Sequence, residues 1–161
     1  AYLNAATVYK AFNRLKPSLD LFKKARKIYE KELKDNDYRL GGLYNNYGLT
    51  LLDLKEFDKA IDMFNKAISI MKHTENGELE QAITHLNIAN TYENMLGLEK
   101  AEEKISKELD IAEKLLLSEN VAKDGYYAFV CEKCAPTFLY YGRFAFSGDL
   151  NKKAKEIYER S

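Results

Sequence analysis

Apolar residues recur along this chain at intervals of three and four. Three stripes show it best: Leu21, Phe22, Ala25, Ile28 and Tyr29; then Ala60, Ile61, Phe64, Ala67 and Ile68; then Ala101, Ile105, Leu109 and Ala112. That spacing gives a helix one apolar face, and it fits a strand poorly, because strand side chains alternate every second residue. A break precedes each stripe: Arg14-Leu15-Lys16-Pro17, Asp53-Leu54-Lys55-Glu56 and Leu96-Gly97-Leu98. Pro17 suits the first turn of a helix, where its missing N–H has no intrahelical partner to lose.

The segments before the breaks are similar to one another. Tyr2 to Tyr9, Tyr44 to Leu51 and His85 to Tyr92 each open on a bulky residue. An asparagine follows two places on, a small residue two further, and a large apolar or aromatic residue near the end. The small residues Ala6, Gly48 and Ala89 lie 42 and 41 positions apart. The unit is therefore a helix–turn–helix, repeated. Small residues let the two helices of a hairpin approach closely, and bulky ones fill the space between hairpins. A lone hairpin would leave apolar surface in water, so the units must stack.

This pattern resembles the tetratricopeptide repeat. Tyr44, Gly48, Ala60, Phe64 and Ala67 fall at that family's signature spacings, and Ala6, Tyr9, Phe22 and Ala25 repeat them, with Ser18 as the small residue opening the second helix. The third unit carries Ala89, Tyr92 and Ala101, but has Glu108 where a small residue is usual. A period near 42 is similar to the longer-helix variety found in kinesin light chains. The resemblance is best over residues 2–117. It implies an all-α, right-handed superhelical solenoid of about four antiparallel hairpins, whose first helices line a concave face. The chain then reads as one domain over residues 1–161, with repeats at about 1–36, 38–74, 78–118 and 122–161. Ala1 is not an initiator Met and Tyr2 onward already has a helical pattern, so a fragment of a longer chain is expected.

The fourth unit is irregular. A first helix from Gly125 to Ser147, about twice the usual length, is expected to carry Cys131, Ala135, Phe138, Tyr141, Gly142 and Ala145 on one stripe. Ala135 and Gly142 fit equally well as its small contact, and Pro136 should bend or break it. Asp149 can cap a last helix from Leu150 to Arg160.

Asn4, Asn46 and Asn87 recur in step with the repeat and form a ladder along one face. An amide both donates and accepts, which suits the backbone of an extended peptide. In related superhelical repeats, asparagines at this place contact the bound peptide, and the resemblance carries that role onto these three. The competing reading is that each bonds a neighbouring helix and tunes stacking. Asn90 and Asn94 widen the polar strip, and Thr7, Lys10, Asn45, Leu49 and Asp53 should flank the same groove. A chaperone-type clamp for acidic C-termini would need lysine where Leu3, Asn45 and Leu86 stand, so that kind of clamp is not expected; Lys10 or Arg143 could supply another basic contact.

Enzyme chemistry has little support. Cys131-Glu132-Lys133-Cys134 is a lone C-x-x-C with no second pair for zinc and no βαβ context for a redox dithiol, so buried cysteines are expected. His73, near a helix end, reads as solvated or capping, and His85 as a half-buried replacement for a bulky residue. Phosphate-loop, G-x-S-x-G and H-E-x-x-H patterns are absent from the sequence, so no cofactor, metal or catalytic residue is expected. Nine of the twenty aromatic residues lie between Tyr126 and Tyr158. They cannot all face one side of one helix, so they either pack within the last hairpin or form a self-association or partner patch.

Composition adds little and charge adds one point. The 161 residues hold 25 Lys+Arg and 25 Asp+Glu, which argues against nucleic acid as a partner. No apolar run reaches membrane-spanning length, and two cysteines suit a cytoplasmic setting. Yet residues 1–39 carry 10 basic and 5 acidic side chains, and residues 75–119 carry 4 and 11. Neutrality is thus a cancellation between repeats. The expected function is non-catalytic binding of a peptide or protein segment in the concave groove. Two alternatives stand beside it: a peptide-sensing domain of a larger signalling or transcription regulator, and a scaffold dimerising through the aromatic last hairpin.

Overall fold

The computed structural model describes residues 2–11 and 14–160, apart from the side chains of residues 9–11. Its helices are α1 Tyr2–Ala11, α2 Leu15–Glu32, α3 Tyr38–Asp53, α4 Phe57–Met71, α5 Glu78–Leu96, α6 Leu98–Leu116, α7 Gly125–Tyr140 and α8 Phe144–Arg160. Among the described residues there is no strand. The helices pair as four hairpins, and each first helix also touches the next first helix. This is the all-α hairpin superhelix that the repeat implies.

Local chemistry sets the helix ends. Asp37 and Asp124 precede α3 and α7, and their carboxylates accept the N–H groups of Arg39 and Tyr127, both at 3.0 Å. Each removes one of the unsatisfied donors at a helix start. The Arg39 guanidinium also grips Asp37 and lowers its carboxyl pKa to about 2. The α3–α4 turn closes with Lys55 N–H donating to Leu52 and Glu56 N–H donating to Leu51. The α7–α8 turn repeats this with Gly142 to Leu139 and Arg143 to Phe138. Both are Schellman closures, which need a left-handed residue, here Lys55 at φ 62° and Gly142 at φ 83°.

The hairpins share one internal offset. The small residues Ala6, Gly48, Ala89 and Ala135 are each followed twelve positions on by a second buried small residue: Ser18, Ala60, Ala101 and Ser147. Where that residue is serine, its hydroxyl donates to the alanine carbonyl at 2.8 Å, Ser18 to Ala6 and Ser147 to Ala135. At Gly48 the approach is closer still: a Cβ there would sit 2.6 Å from Phe64 Cε1.

The fourth hairpin departs from the sequence expectation in four ways. Its first helix is not doubled; it ends at Tyr140, and α8 begins at Phe144. Gly142 is the left-handed turn residue and not a packing contact, which settles the register on Ala135. Asp149 lies inside α8, exposed, and caps nothing. Pro136 does not break α7. It lies on the exposed face, where water can serve the Glu132 carbonyl left without its helical donor.

The core falls into two clusters. Ala6, Phe22, Leu43, Tyr47, Phe64 and Met71 belong to the first, which Ile88 of α5 closes. Ile105, Leu109, Tyr127, Val130, Phe138 and Leu150 belong to the second. Tyr92 of α5 borders both, so α5 joins the two halves.

Candidate functional site

The first-helix face is where the sequence places its candidate residues, and the structure divides them. Asn45 Oδ1 accepts from Thr84 Oγ1 and from Asn87 Nδ2, both at 3.0 Å. These bonds cross from α3 to α5, so Asn45 and Asn87 tie the second hairpin to the third. Asn87 keeps its Oδ1 and one N–H for other use. Asn46 is half-buried, and its amide makes no hydrogen bond among the described residues. Asn90 and Asn94 are exposed and paired to each other, with Asn94 Nδ2 donating to Asn90 O at 2.7 Å and Oδ1 at 3.1 Å. Asn4 is exposed, and so is Thr7, whose hydroxyl donates to the Leu3 carbonyl at 3.0 Å. Leu49 is half-buried and Asp53 exposed. The side chain of Lys10 lies outside the described residues.

In the fourth hairpin the place of Asn46 and Asn87 belongs to Lys133, exposed on α7. Around it the helix presents Tyr126, Phe129, Pro136 and Tyr140. Tyr126 and Phe129 stack at 6.4 Å, and the Tyr126 hydroxyl donates to Glu80 of α5. The Tyr140 hydroxyl donates to Glu93 of α5, as does that of Tyr141 at 2.9 Å. The face thus passes from amides on α3 and α5 to aromatic rings and one cation on α7. The aromatic residues divide as the sequence requires: Tyr127 and Phe138 are buried, while Tyr126, Phe129, Tyr140, Phe144 and Tyr158 are exposed.

One pair of residues escaped the sequence reading. His85 Nδ1–H donates to Glu108 Oε2 at 2.6 Å, with both side chains mostly buried. His85 stands at the place of Tyr44, and Glu108 at that of Ala67. Two departures from the repeat, 23 residues apart, form one compensating contact; reading both exceptions together could have found it.

The joint between the third and fourth hairpins is built differently from the others. Helix α2 lies along α3 and α4 along α5, whereas α6 and α7 have no such extended contact. The small-residue spacing there, Ala89 to Ala135, is 46. The extra residues fall in the connection from Leu117 to Asp124. Point contacts hold the joint: Tyr127 OH donates to the Leu116 carbonyl at 2.9 Å. Arg143 reaches Asp110 and Glu113 at 2.9 Å each, and Ser106 Oγ at 3.0 Å. Beside them opens a cleft of ≈ 660 Å³ between α6 and the α7–α8 turn.

Cys131 and Cys134 are free and buried. Burial raises both thiol pKa values, that of Cys134 to about 12, so neither holds a thiolate near neutrality. Among the described residues no group of three His, Cys, Asp or Glu could hold a metal ion, and no helix is long and apolar enough to cross a membrane.

Two family models, both described as tetratricopeptide repeat, match residues 39–114 and 1–37. The chain belongs to the tetratricopeptide repeat family. Its repeats are similar to those of kinesin light chains: it superposes on a Podosopora anserina protein assigned to that group, with nearly identical TPR-like repeats, at a TM-score of 0.59 and 12% identity over 99% of this chain and 74% of that one. BtubC (BKLC) from P. vanneervenii superposes at a TM-score of 0.65 and 16% identity, over 99% of this chain and 62% of that one. In sequence, the chain is 26% identical over 118 residues to a clustered mitochondria protein homolog of Lodderomyces elongisporus, covering 72% of this chain and 8% of that much longer protein. Tetratricopeptide repeats are general scaffolds for protein–protein interaction, and such scaffolds are typically non-catalytic.

Proposed function

We propose that this chain is a non-catalytic interaction module that takes an extended peptide along the concave face of its first helices. One observation supports this above the others: the Asn46 amide sits half-buried on that face without a hydrogen bond among the described residues. Its donors and its acceptor are not committed to the fold, so they are available to a peptide backbone crossing the face. Asn90, Asn94 and the remaining groups of Asn87 extend the same strip, and Asn4 and Thr7 continue it on α1. Leu49 and Asp53 are positioned to select side chains. Asn45 is assigned to stacking, because its acceptor is used twice.

The test uses a peptide selected by display on the 161-residue chain. Affinity is then measured for the parent and for Asn46→Ala/Asn90→Ala, with circular dichroism to check the fold. The proposal expects a loss of tenfold or more with the fold intact. Unchanged affinity in a folded double variant would refute it. A second reading has its own support in the exposed Tyr126, Phe129, Tyr140 and Phe144: self-association through the last hairpin. Light scattering over a concentration series decides that reading, and a strict monomer would end it.

A further inference from the structure

The cleft at the α6–α7 joint is lined by α6, the end of α7 and the α7–α8 turn, and by none of the asparagines of the first-helix strip. Its floor is Ile105 and Leu109, 4% and 2% exposed. In the second hairpin the residues at these places, Phe64 and Ile68, lie within the packed core to which α5 contributes Ile88. Here Ile105 and Leu109 are closed over to the same degree within the second core cluster, so the apolar surface the cleft offers comes from its walls. The walls are Leu98, 53% exposed, and Tyr140, 64% exposed.

The tyrosine wall is held in place from behind. Glu93 accepts both tyrosine hydroxyls, Tyr140 and Tyr141 meet edge to face at 4.9 Å, and Arg143 is anchored to α6 by Asp110, Glu113 and Ser106. A bulky side chain entering the cleft would cover Leu98 and the Tyr140 ring, the latter without first having to order it.

The rim fixes the chemistry of the occupant. Glu99 and Glu102 line the cleft, are exposed, and make no ion pair among the described residues. The Arg143 guanidinium is already matched by two carboxylates. The surrounding stretch, residues 75–119, carries 11 acidic and 4 basic side chains. An acidic rim over an apolar floor disfavours an acidic segment and attracts a basic one. We propose that this cleft binds a short peptide segment in which a bulky apolar side chain is flanked by Lys or Arg, the apolar group entering between Leu98 and Tyr140 and the cations meeting Glu99 and Glu102.

The probe is a fluorescein-labelled peptide, Gly-Arg-Lys-Leu-Phe-Arg-Lys-Gly, titrated with the 161-residue chain and followed by anisotropy at low and at physiological salt. Two control peptides carry Glu in place of every Lys and Arg, or Ala in place of Leu-Phe. Saturable binding of the first, at least tenfold tighter than either control and weakened by salt, is expected. Glu99→Lys/Glu102→Lys and Leu98→Ser, all at exposed positions, should each weaken it tenfold or more, while Asn46→Ala/Asn90→Ala leaves it unchanged. Absence of binding, equal binding of the acidic control, or insensitivity to the Glu99→Lys/Glu102→Lys variant overturns the proposal. Loss of binding in the Asn46→Ala/Asn90→Ala variant alone would assign the peptide to the concave strip, and overturns it equally.

Discussion

The second and fourth hairpins are built on one frame and finished differently. Adding 87 to a residue number of the second gives its counterpart in the fourth: Asp37 and Asp124 cap, Gly48 and Ala135 are the small residues of the first helices, Ala60 and Ser147 those of the second, and Lys55 and Gly142 turn left-handed. Then the pairs diverge. Phe64 and Ile68 are buried, while Asn151 and Lys155 are exposed. Asn45 bonds across to the third hairpin, while Glu132 accepts from Tyr158 of its own hairpin, at 3.2 Å. Small residues and caps thus define a hairpin. The outward stripe of its second helix records whether a neighbour covers it.

Substitutions at counterpart positions test this, beginning with the largest effect. Phe64→Ala should cost about 3–5 kcal/mol, because a fully buried ring leaves a cavity at the meeting of α3 and α4. Asn151→Ala, at the counterpart place, should stay within about 0.5 kcal/mol. Denaturant midpoints measure both; similar losses would mean that the fourth hairpin packs like the second.

Asn45→Ala comes next. It strips the acceptor from Thr84, which is fully buried, and from Asn87, so a cost of about 1–3 kcal/mol is expected. Glu132→Ala removes only an exposed contact and should be near neutral by the same measurement. A neutral Asn45→Ala would show that the α3–α5 bridge does not hold the stack.

The turns give a smaller effect of opposite sign. Lys55 takes a left-handed conformation that glycine adopts without strain, so Lys55→Gly should stabilise by about 1 kcal/mol and Gly142→Lys should destabilise by a similar amount. If both substitutions destabilise, the two turns are not equivalent.

The caps differ least. The Arg39 guanidinium, then the Arg39 N–H, hold Asp37 near 2, and Tyr126 replaces Arg39 at the counterpart place. A carboxyl lowered on folding adds stability that is complete above its unfolded pKa, near 3.8, and fades as pH falls towards 2. Carbon-detected NMR titration should place the Asp37 midpoint near 2 and move it upward in Arg39→Ala. An unmoved midpoint would exclude the side-chain contact as the cause.

The hairpin architecture was legible because its determinants are local and repeated. Ala6, Gly48 and Ala89 mark where helices approach, and stripes such as Phe64–Ala67–Ile68 mark what they bury. The fourth hairpin was misread where one residue type serves two ends. Glycine permits close contact at Gly48 and left-handed turning at Gly142, and only the hydrogen bonds of Arg143 and Gly142 to the end of α7 separate the cases. Proline likewise has a fixed meaning inside a helix only once exposure is known, as Pro136 shows. The asparagines were found by their period, but period alone cannot tell Asn45, whose oxygen is spent on the next hairpin, from its neighbour Asn46. Contacts between distant departures, His85 with Glu108 and Arg143 with Asp110 and Glu113, need the fold to bring them together.

The twelve-residue offset within each hairpin implies where the chain tolerates changes of length. Ser18 meets Ala6 and Ser147 meets Ala135 across that offset, and Ala60 and Ala101 keep it in the hairpins between. Between hairpins the spacing varies, from 41 to 46. One added residue at Lys55–Glu56 would rotate α4 by about 100° against α3 and turn Phe64 away from Gly48. The same addition at Glu119–Asn120 lengthens a connection that is already the longest. Insertions and deletions in this family of molecules should therefore collect between hairpins and be purged within them, so that the hairpin, and not the residue, is the unit in which such a chain grows.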